Sequence, residues 1–354
     1  LINLANLVAR EPLDGSIGIG HTRWATHGAA NERNAHPHAT EHVAVVHNGI
    51  IENFEALRAE LAAQGVLFET ETDTEVFAKL VSYHMEALGL PPIDATHRAL
   101  KRLEGAFALA VIFRGHNNLM IGARRGSPLA VGYGEGEMYL GSDALALAPL
   151  TQKLAYLEEG DWVVIEGDQA TIMDPEGVVV LREIKRSAMS GAMIGKGAYR
   201  HFMAKEIHEQ PTVIGDTLRA LYDHETHAVR LPELPINLAD ITRFTASACG
   251  TAFYACVVGK YWMEQIARVP MDVDIASEFR YREAPLPKNG AMLCVSQSGE
   301  TIDTLEALRY AKREGQTILS IVNVAESAIA RESHGVLQTL AGPEIGVAST
   351  KAFT

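Results

Sequence analysis

The sequence predicts two domains of different fold class: an α+β domain first, then an α/β domain with a doubly wound parallel sheet. Its 354 residues are too many for a single hydrophobic core, so more than one domain is expected. Strand patterns separated by Gly-rich turns dominate residues 1–168, whereas strands and helices alternate over residues 237–354. Residues 169–236 between them are predicted to form a linker and an inter-domain helix.

Composition excludes several classes of function. The hydrophobic content of 47% and the charged content of 21% are those of a soluble globular protein. A net charge of −13 without a long basic run argues against a nucleic-acid partner, and no apolar run is long enough to cross a membrane. The three cysteines form no disulfide framework, which favours a reducing cytoplasm. The chain starts at Leu1 rather than at Met and stops at Thr354 without a closing helix, so we expect a fragment at both ends.

The first candidate site follows a strand predicted at 43–46. The Asn48 amide and the Gly49 N–H can form a two-donor oxyanion hole at the end of that strand. Asn-Gly is also the strongest short hairpin signal, so a turn is the alternative. Six of the fourteen histidines lie between His21 and His47, but their spacing matches no standard ligand set, so no metal site is predicted.

A second candidate is the acidic stretch ETDTE (71–75), which precedes a helix predicted at 76–87. Carboxylates at a helix start ordinarily complement the helix dipole, and the alternative is that one of them meets an ammonium group. Arg23 can hold a carboxylate by a two-point fork, so Arg23 and this stretch together suit an α-amino acid. Strands predicted at 105–113, 118–123, 137–141 and 162–166 complete a layered α+β domain.

Several motifs of this half resemble the glutamine amidotransferase domain of the N-terminal-nucleophile class. They are HTRWATHG (21–28), VVHNGIIEN (45–53), ETDTEV (71–76), GSPL (126–129) and GSDALAL (141–147). The resemblance implies an αββα sandwich in which an amino-terminal Cys attacks the glutamine amide and its own α-amine is the base. That Cys would lie upstream of Leu1, because none of the three cysteines present can replace it.

The resemblance also implies roles for individual residues. Arg23 would bind the carboxylate of glutamine and Asp73 its amino group, while Asn48 and Gly49 would form the oxyanion hole. The other pocket residues would be Trp24, Thr26, His27 and His36. Trp24 would in addition belong to the gate between two active sites.

The joint between the domains is predicted from composition. The Gly- and Met-rich stretch SAMSGAMIGKG (187–197) is the best linker candidate. Residues 199–207 predict a helix that ends near Pro211. Its mixture of aromatic and charged residues suits either a plain surface helix or a seal between the domains, and the resemblance favours the inter-domain role.

Strand and helix patterns alternate throughout the second half. Strands are predicted at 243–248, 271–275, 291–295 and 317–323. Helices are predicted from the CGTA turn (249–252) to about 267, at 277–281, from 302 onward and after 325. Such alternation indicates βαβ units, and therefore a parallel doubly wound sheet.

Two loops of small polar residues, CGTA (249–252) and SQSGET (296–301), fall where a predicted strand ends and a helix begins. Backbone N–H groups and the helix dipole favour an anion there, and doubly wound sheets bind ligands at this edge. The alternative is a pair of ordinary N-capped turns. Cys249 is rejected as a nucleophile, because a strand-end Cys is more often a small buried hydrophobe and no base is paired with it.

The second half resembles the sugar isomerase (SIS) domain family. The motifs that carry this resemblance are SACGTAFYA (247–255), ASEFRYR (276–282), SQSGET and EIGVASTKAFT (344–354). With the first half, their order resembles the glutamine–fructose-6-phosphate aminotransferase (isomerizing) family, the glucosamine-6-phosphate synthases. The residues implied to hold the sugar phosphate are Thr251, Ser296, Gln297, Ser298 and Thr301. Val347 and Ser349 would line the sugar, and Ala252 stands where family members often have Ser.

This resemblance implies a reaction and its partners. Ammonia released from glutamine would pass through a dry channel to fructose 6-phosphate, giving glucosamine 6-phosphate for amino-sugar synthesis. No metal, organic cofactor, nucleic acid or membrane is implied, and a homodimer is expected at full length. A second SIS domain is absent, so this chain alone is expected to be inactive. The alternatives are a related amidotransferase acting on another sugar phosphate and a non-catalytic sugar-phosphate sensor.

Overall fold

The computed structural model describes residues 2–12, 14–23, 27–187, 195–232, 234 and 236–354. The chain divides into two units, Leu1–Gly191 and Ala192–Thr354. Buried apolar side chains form separate core clusters in each unit.

The described part of the first unit contains helices and mostly short strands. Its helices are α1 (Ile2–Arg10), α2 (Phe54–Ala63), α3 (Asp73–Leu88), α4 (Pro92–Leu100) and α5 (Ala144–Leu147). Its strands are β1 (His38–Ala39), β2 (Val43–Ile51), β3 (Gly105–Phe113), β4 (Leu119–Arg125), β5 (Ala130–Tyr133), β6 (Met138–Gly141), β7 (Lys153–Tyr156), β8 (Trp162–Glu166), β9 (Gln169–Met173) and β10 (Ile184–Arg186).

Two antiparallel sheets lie between helices in this unit. One sheet has the strand order β1-β2-β3-β4-β8-β9 and the other has the order β10-β7-β5-β6. Helices α2, α3 and α4 cover the larger sheet through a buried core that includes Leu57, Phe77 and Leu109. The short helix α5 packs on the second sheet through Ala144 and Leu147. These layers confirm the predicted αββα sandwich.

Strand β2 continues without interruption through Asn48 and Gly49. Every residue from Val43 to Ile51 pairs with a residue of β3. The expectation that Asn48-Gly49 ends the strand is therefore wrong, and so is the hairpin alternative. The physical reason is close approach of two strands: Gly49 has a φ of 129°, and a Cβ there would lie 2.1 Å from the carbonyl oxygen of Ala106. Glycine at this position admits the neighbouring backbone instead of turning the chain.

Helix α3 begins at Asp73, three residues before its predicted start. Thr72 precedes it in an extended conformation, and its hydroxyl accepts a hydrogen bond from the backbone N–H of Glu75 at 3.3 Å. This cap brings Asp73 and Glu75 into the first turn, where the helix dipole favours negative charge.

The second unit carries the parallel sheet. Its helices are α6 (Phe202–Leu221), α7 (Gly250–Trp262), α8 (Ala276–Arg282), α9 (Ile302–Arg313) and α10 (Ala328–Glu332), and α7 continues into a π-helical turn at Met263–Ala267. Its strands are β11 (Tyr222–Asp223), β12 (Ala228–Val229), β13 (Arg243–Ala248), β14 (Met271–Ile275), β15 (Gly290–Ser296), β16 (Thr317–Val322) and β17 (Gly335–Gln338). The sheet order is β14-β13-β15-β16-β17 with parallel neighbours, which confirms the doubly wound sheet.

Helix α6 passes through Pro211, so the expectation that it ends near this proline is wrong. A proline inside a helix leaves the carbonyl four residues earlier without its N–H donor. Here that carbonyl belongs to Ile207, and the side-chain Nε2 of Gln210 donates to it at 2.9 Å. Neither α6 nor any other described helix is both long enough and apolar enough to cross a membrane.

Parts of the predicted joint are built into the two units. Strands β9 and β10 follow residue 168, yet β9 pairs with β8 and β10 with β7, in the sheets of the first unit. Helix α6 hydrogen-bonds to the end of the second unit, where Leu340 N–H donates to the Thr217 hydroxyl at 3.1 Å. Of the predicted linker at 187–197, residues 188–194 lie outside the described residues.

Candidate functional site

The first candidate site gathers around the start of α3. Asp73 is 4% exposed, and backbone N–H groups hold both of its carboxylate oxygens. Oδ2 accepts from Ile51 at 2.9 Å and Oδ1 from Thr74 at 3.0 Å. Nδ1 of His47 lies 3.7 Å from Oδ2. The carboxylate is therefore held in one orientation by β2 and α3, as a group that binds a cationic partner must be.

The other two carboxylates of the acidic stretch serve the fold. Glu75 accepts backbone N–H bonds from Glu69 at 2.8 Å and from Thr70 at 2.7 Å, which closes the loop before α3. Glu71 accepts from the Asn34 side-chain amide at 3.3 Å. Of the three, Asp73 is the one whose described partners are only backbone donors and a histidine ring.

Arg23 holds the loop at 27–29 in place. Its Nη1 donates to the Ala29 carbonyl at 3.1 Å, and its Nη2 donates to the Gly28 carbonyl at 3.2 Å and to the His27 carbonyl. Nδ2 of Asn34 also donates to the Ala29 carbonyl, at 3.1 Å. Within the described residues these bonds use three of the five guanidinium N–H donors. Arg23 therefore shapes the loop that follows it.

Histidines surround a single hydroxyl at the start of α3. Nε2 of His36 and Nδ1 of His47 each lie 3.0 Å from Oγ1 of Thr74. The His36 ring also lies beside His21 and His38, with centroid distances of 4.5 and 5.0 Å. No group of three His, Cys, Asp or Glu side chains suited to a metal ion occurs among the residues that the structure describes.

Both histidines on Thr74 are neutral at physiological pH. Burial, followed by the neighbouring charge of His21, lowers the pKa of His36 from 6.5 to about 3. Burial lowers the pKa of His47 to about 4, although the nearby Asp73 carboxylate opposes this shift. The site therefore offers neutral imidazole rings beside one buried carboxylate.

The structure joins some of the predicted residues of this site and leaves others apart. Thr74 follows Asp73 directly and links His36 to this site, and the guanidinium of Arg23 contacts His27. Asn48 is exposed, and as the neighbour of the buried His47 on β2 it points to the opposite face of the strand. Trp24 and Thr26, which the sequence also predicts, lie outside the described residues.

The second candidate site is a cavity of about 500 Å³ at the carboxyl ends of the parallel strands. The loops after β13 and β15 line this cavity. These two strands are neighbours in the sheet, and the chain passes from β13 to β14 on one side and then to β15 on the other. Ligands usually bind at such a point of a doubly wound sheet. All seven residues predicted to bind sugar phosphate line this cavity: Thr251, Ser296, Gln297, Ser298, Thr301, Val347 and Ser349.

Hydroxyl groups of the loop after β15 organise one wall of this cavity. Oγ of Ser296 accepts from the Gly299 N–H at 3.0 Å and lies 3.0 Å from Oγ1 of Thr301. Oγ of Ser298 accepts from the Glu300 N–H at 3.2 Å, which leaves its own proton available to a ligand. Thr301 precedes α9, but its side chain makes no capping hydrogen bond. The alternative of an ordinary side-chain N-cap therefore does not hold for Thr301.

Two acidic residues that the sequence did not single out hold the opposite wall. Glu344 lines the cavity and accepts from the Ser349 hydroxyl at 2.7 Å and from the Thr350 N–H at 2.7 Å. Glu206 on α6 accepts from backbone N–H groups of the same segment. Glu344 stands inside the quoted motif EIGVASTKAFT, but nothing local marks Glu206 as other than a helix-surface charge.

The cysteines of the second unit have the properties of buried thiols. Burial and the Asp303 carboxylate raise the pKa of Cys249 above its ordinary value. Burial raises the pKa of Cys256 to about 12 and also raises that of Cys294. A raised pKa disfavours the thiolate, which is the nucleophilic form.

Two family models match separate parts of the chain. Residues 21–149 match the model described as a glutamine amidotransferase domain, and residues 237–354 match the model described as an SIS domain. The chain therefore combines these two kinds of domain, and both resemblances noted in the sequence are confirmed.

Over its whole length the chain is similar to aminotransferases. It is 60% identical over 355 aligned residues to the glutamine–fructose-6-phosphate aminotransferase (isomerizing) of Bradyrhizobium diazoefficiens, and 58% identical over 354 residues to that of Mesorhizobium japonicum. Each alignment covers 100% of this chain and 58% of the relative. The chain is thus homologous throughout to the glutamine–fructose-6-phosphate aminotransferase family and spans a little over half the length of these relatives.

A solved structure is also similar to part of the chain. The C-terminal domain of glucosamine-fructose-6-phosphate aminotransferase from Francisella tularensis is 40% identical, covers 45% of each chain and has a TM-score of 0.42.

Proposed function

We propose that this chain takes part in transferring the amide nitrogen of glutamine to fructose 6-phosphate, which yields glucosamine 6-phosphate. The observation that carries the proposal is the cavity in the second unit, which all seven residues predicted to bind sugar phosphate line. The names of relatives that are 58–60% identical support the same reaction.

In the first unit, the proposed ligand is glutamine. Asp73, oriented by two backbone N–H groups, binds the ammonium group of glutamine, and Arg23 binds its carboxylate. His27 and His36 line the same pocket, and Trp24 and Thr26 are assigned to it from the sequence alone. The oxyanion donors are expected from the sequence to be Asn48 and Gly49, although the Asn48 side chain points to the face of β2 opposite the buried His47. The chain's three cysteines all lie in the second unit, so none of them is assigned the role of nucleophile.

In the second unit, the proposed ligand is the sugar phosphate. The phosphate lies against the loop after β15 and the start of α9, where free N–H groups and the helix dipole favour an anion. Thr251, Ser298 and Thr301 add neutral hydroxyl donors, which suits a protein of net charge −13 that has no long basic run. Val347 and Ser349 line the sugar on the opposite wall.

Calorimetric titration of this chain tests the proposal directly. Fructose 6-phosphate and L-glutamine should each bind to the purified chain, and ribose 5-phosphate should bind more weakly than fructose 6-phosphate. Ser298→Ala should weaken the binding of fructose 6-phosphate about tenfold, because a hydrogen bond to a charged group contributes about 1.5–3 kcal/mol. Glutamine binding should be unchanged in this variant.

The matched control is Ser333→Ala, which removes a hydroxyl of the same unit that donates to the Ile329 carbonyl outside the cavity. This variant should bind fructose 6-phosphate like the parent chain. Absence of fructose 6-phosphate binding by the parent, or equal affinity for ribose 5-phosphate, would overturn the proposed substrate.

A further inference from the structure

The segment that forms one wall of the sugar cavity is attached to helix α6 by a buried carboxylate. Glu206 is 2% exposed. Its Oε1 accepts from the backbone N–H of Ile345 at 2.6 Å and of Gly346 at 3.1 Å, and its Oε2 accepts from Gly346 at 3.0 Å. Two successive backbone N–H groups therefore converge on one carboxylate, which holds this stretch of backbone against α6.

Gly346 is required by this contact. A Cβ at position 346 would lie 2.4 Å from Oε2 of Glu206. Gly346 is not among the glycines with positive φ, so its backbone conformation is open to other residues. The need for glycine at 346 therefore comes from the space that the Glu206 carboxylate occupies.

The attached segment leads directly to the proposed sugar-binding residues. Val347 follows Gly346 and is 95% exposed, and Ser349 is held by its hydroxyl bond to Glu344 at 2.7 Å. Glu206 thus fixes the start of this short stretch and Glu344 fixes its end. Val347 lies between the two fixed points at the cavity.

An ion pair is the second link between α6 and the same segment. Lys351 is 5% exposed, and its Nζ donates to Oε2 of Glu209 at 2.7 Å. Glu209 lies three positions after Glu206, so the two acids lie on one face of α6. Helix α6 therefore holds the segment at both 345–346 and 351.

We propose that Glu206 is a positioning residue for the sugar-binding wall, acting through the backbone of Ile345 and Gly346 on Val347 and Ser349. This inference rests on the proposed phosphosugar site. A carboxylate suits the role because both of its oxygens accept. The amide of glutamine has one oxygen only, and its NH₂ group would face an N–H donor.

The proposal distinguishes the two halves of the ligand. The proposed phosphate contacts follow β13 and β15, whereas the segment held by Glu206 is proposed to contact the sugar. Loss of the Glu206 carboxylate should therefore weaken the binding of fructose 6-phosphate and leave the binding of inorganic phosphate unchanged. A general loss of structure would weaken both ligands together.

The first experiment compares Glu206→Gln with Asp216→Asn by titrating each purified chain with fructose 6-phosphate and with inorganic phosphate. Asp216 is the matched control, because it is an acid of the same helix whose described partner is the exposed Arg219. Glu206→Gln should lose about tenfold in affinity for fructose 6-phosphate and less than twofold for phosphate. Asp216→Asn should match the parent for both ligands.

The second experiment is a double-mutant cycle, and its first variant, Gly346→Ala, keeps the Glu206 carboxylate and remains informative if Glu206→Gln fails to fold. Gly346→Ala alone should weaken the binding of fructose 6-phosphate at least fivefold, because the new methyl group meets the carboxylate. In a Glu206→Ala background the carboxylate is gone, so Gly346→Ala should change the affinity less than twofold. Equal effects of Gly346→Ala in both backgrounds would overturn the proposal.

The outcomes distinguish a failure of the positioning role of Glu206 from a failure of the proposed function. If the parent chain does not bind fructose 6-phosphate, the proposed function fails and this inference fails with it. If the parent binds and Glu206→Gln binds equally well, the positioning role alone is overturned. Parallel loss of sugar-phosphate and phosphate binding would also overturn it, since that result indicates a purely structural acid.

Discussion

Gly299 and Ser327 lie in such close contact that a Cβ at position 299 would be 1.9 Å from the hydroxyl oxygen of Ser327. Gly299 has a φ of 67°, and its carbonyl accepts from the Ile329 N–H at 3.0 Å. The loop that carries Ser296 and Ser298 is therefore pressed against the start of α10. The cavity wall that Ser296 and Ser298 form therefore depends on glycine at position 299.

We expect Gly299→Ala to abolish fructose 6-phosphate binding and to destabilise the second unit. The backbone alone costs about 1–2 kcal/mol, because an L-residue is disfavoured in the left-handed region. The contact with Ser327 then displaces the loop. Gly315→Ala is the control, since Gly315 has a φ of 76° but open space around it. Denaturant unfolding and calorimetry of both variants check the prediction, and equal costs would contradict it.

Arg23→Lys should weaken glutamine binding at least fivefold. Lysine keeps the charge but lacks the planar fork, so it cannot hold three carbonyl oxygens of the 27–29 loop and also bind a carboxylate. Titration with L-glutamine measures the effect, and fructose 6-phosphate binding should remain at the parental value. Arg33→Lys, at an exposed position, is the matched control. Unaltered glutamine affinity in Arg23→Lys would exclude Arg23 from the site.

Thr74→Val should lower the free energy of unfolding by about 1–3 kcal/mol, because the nitrogens of His36 and His47 lose their buried partner. It should also weaken glutamine binding, since His36 is then free to turn. Thr74→Ser keeps the hydroxyl and should retain the affinity of the parent chain for glutamine. Urea unfolding and glutamine titration of both variants provide the comparison. Equal affinity losses in the two would contradict a specific role of the hydroxyl, because serine keeps it and valine does not.

Stability should fall as the pH decreases from about 6.5 towards 4. His47 has a pKa of about 4 in the folded chain and an ordinary value of 6.5 when unfolded, so between these values the unfolded chain binds more protons. This histidine then adds a slope of up to about 1.4 kcal/mol per pH unit. Unfolding measured from pH 4 to 7.5 should show a shallower slope in His47→Gln than in the parent. Identical slopes would mean that His47 does not remain neutral in the folded chain.

Four of the five strands of the parallel sheet were predictable to within one residue at each end. The predicted strands at 243–248 and 271–275 coincide with β13 and β14, because buried parallel strands are short apolar runs with polar residues at their ends. The cavity of the second unit was predictable for the same reason, since the carboxyl ends of the strands of a doubly wound sheet meet at one edge. Strand β17 was missed because its four residues follow a short helix and carry no distinct period.

Other features depend on contacts that a local pattern does not contain. Glu206 meets Ile345 across 139 positions, and in the sequence it stands among the polar residues of an ordinary helix. Asn48-Gly49 was assigned to the end of a strand because this pair favours turns, whereas pairing with β3 along nine residues outweighs that preference. The sequence predicts a helix end near Pro211 because the compensating bond from Gln210 is a side-chain contact, which no local pattern contains.

The hydroxyl of Thr74 makes the protonation states of two histidines dependent on each other. A hydroxyl has one proton, so it cannot donate to both His36 Nε2 and His47 Nδ1, and at least one of these nitrogens must carry its own hydrogen toward Thr74. A neutral ring that carries its hydrogen on the nitrogen facing Thr74 has no hydrogen on its other nitrogen. Of His36 Nδ1 and His47 Nε2, which have no hydrogen-bond partner among the described residues, at least one is therefore always an unprotonated base at neutral pH. Of the four combinations of tautomers that two neutral histidines allow, the one in which neither ring carries its hydrogen toward Thr74 is therefore excluded.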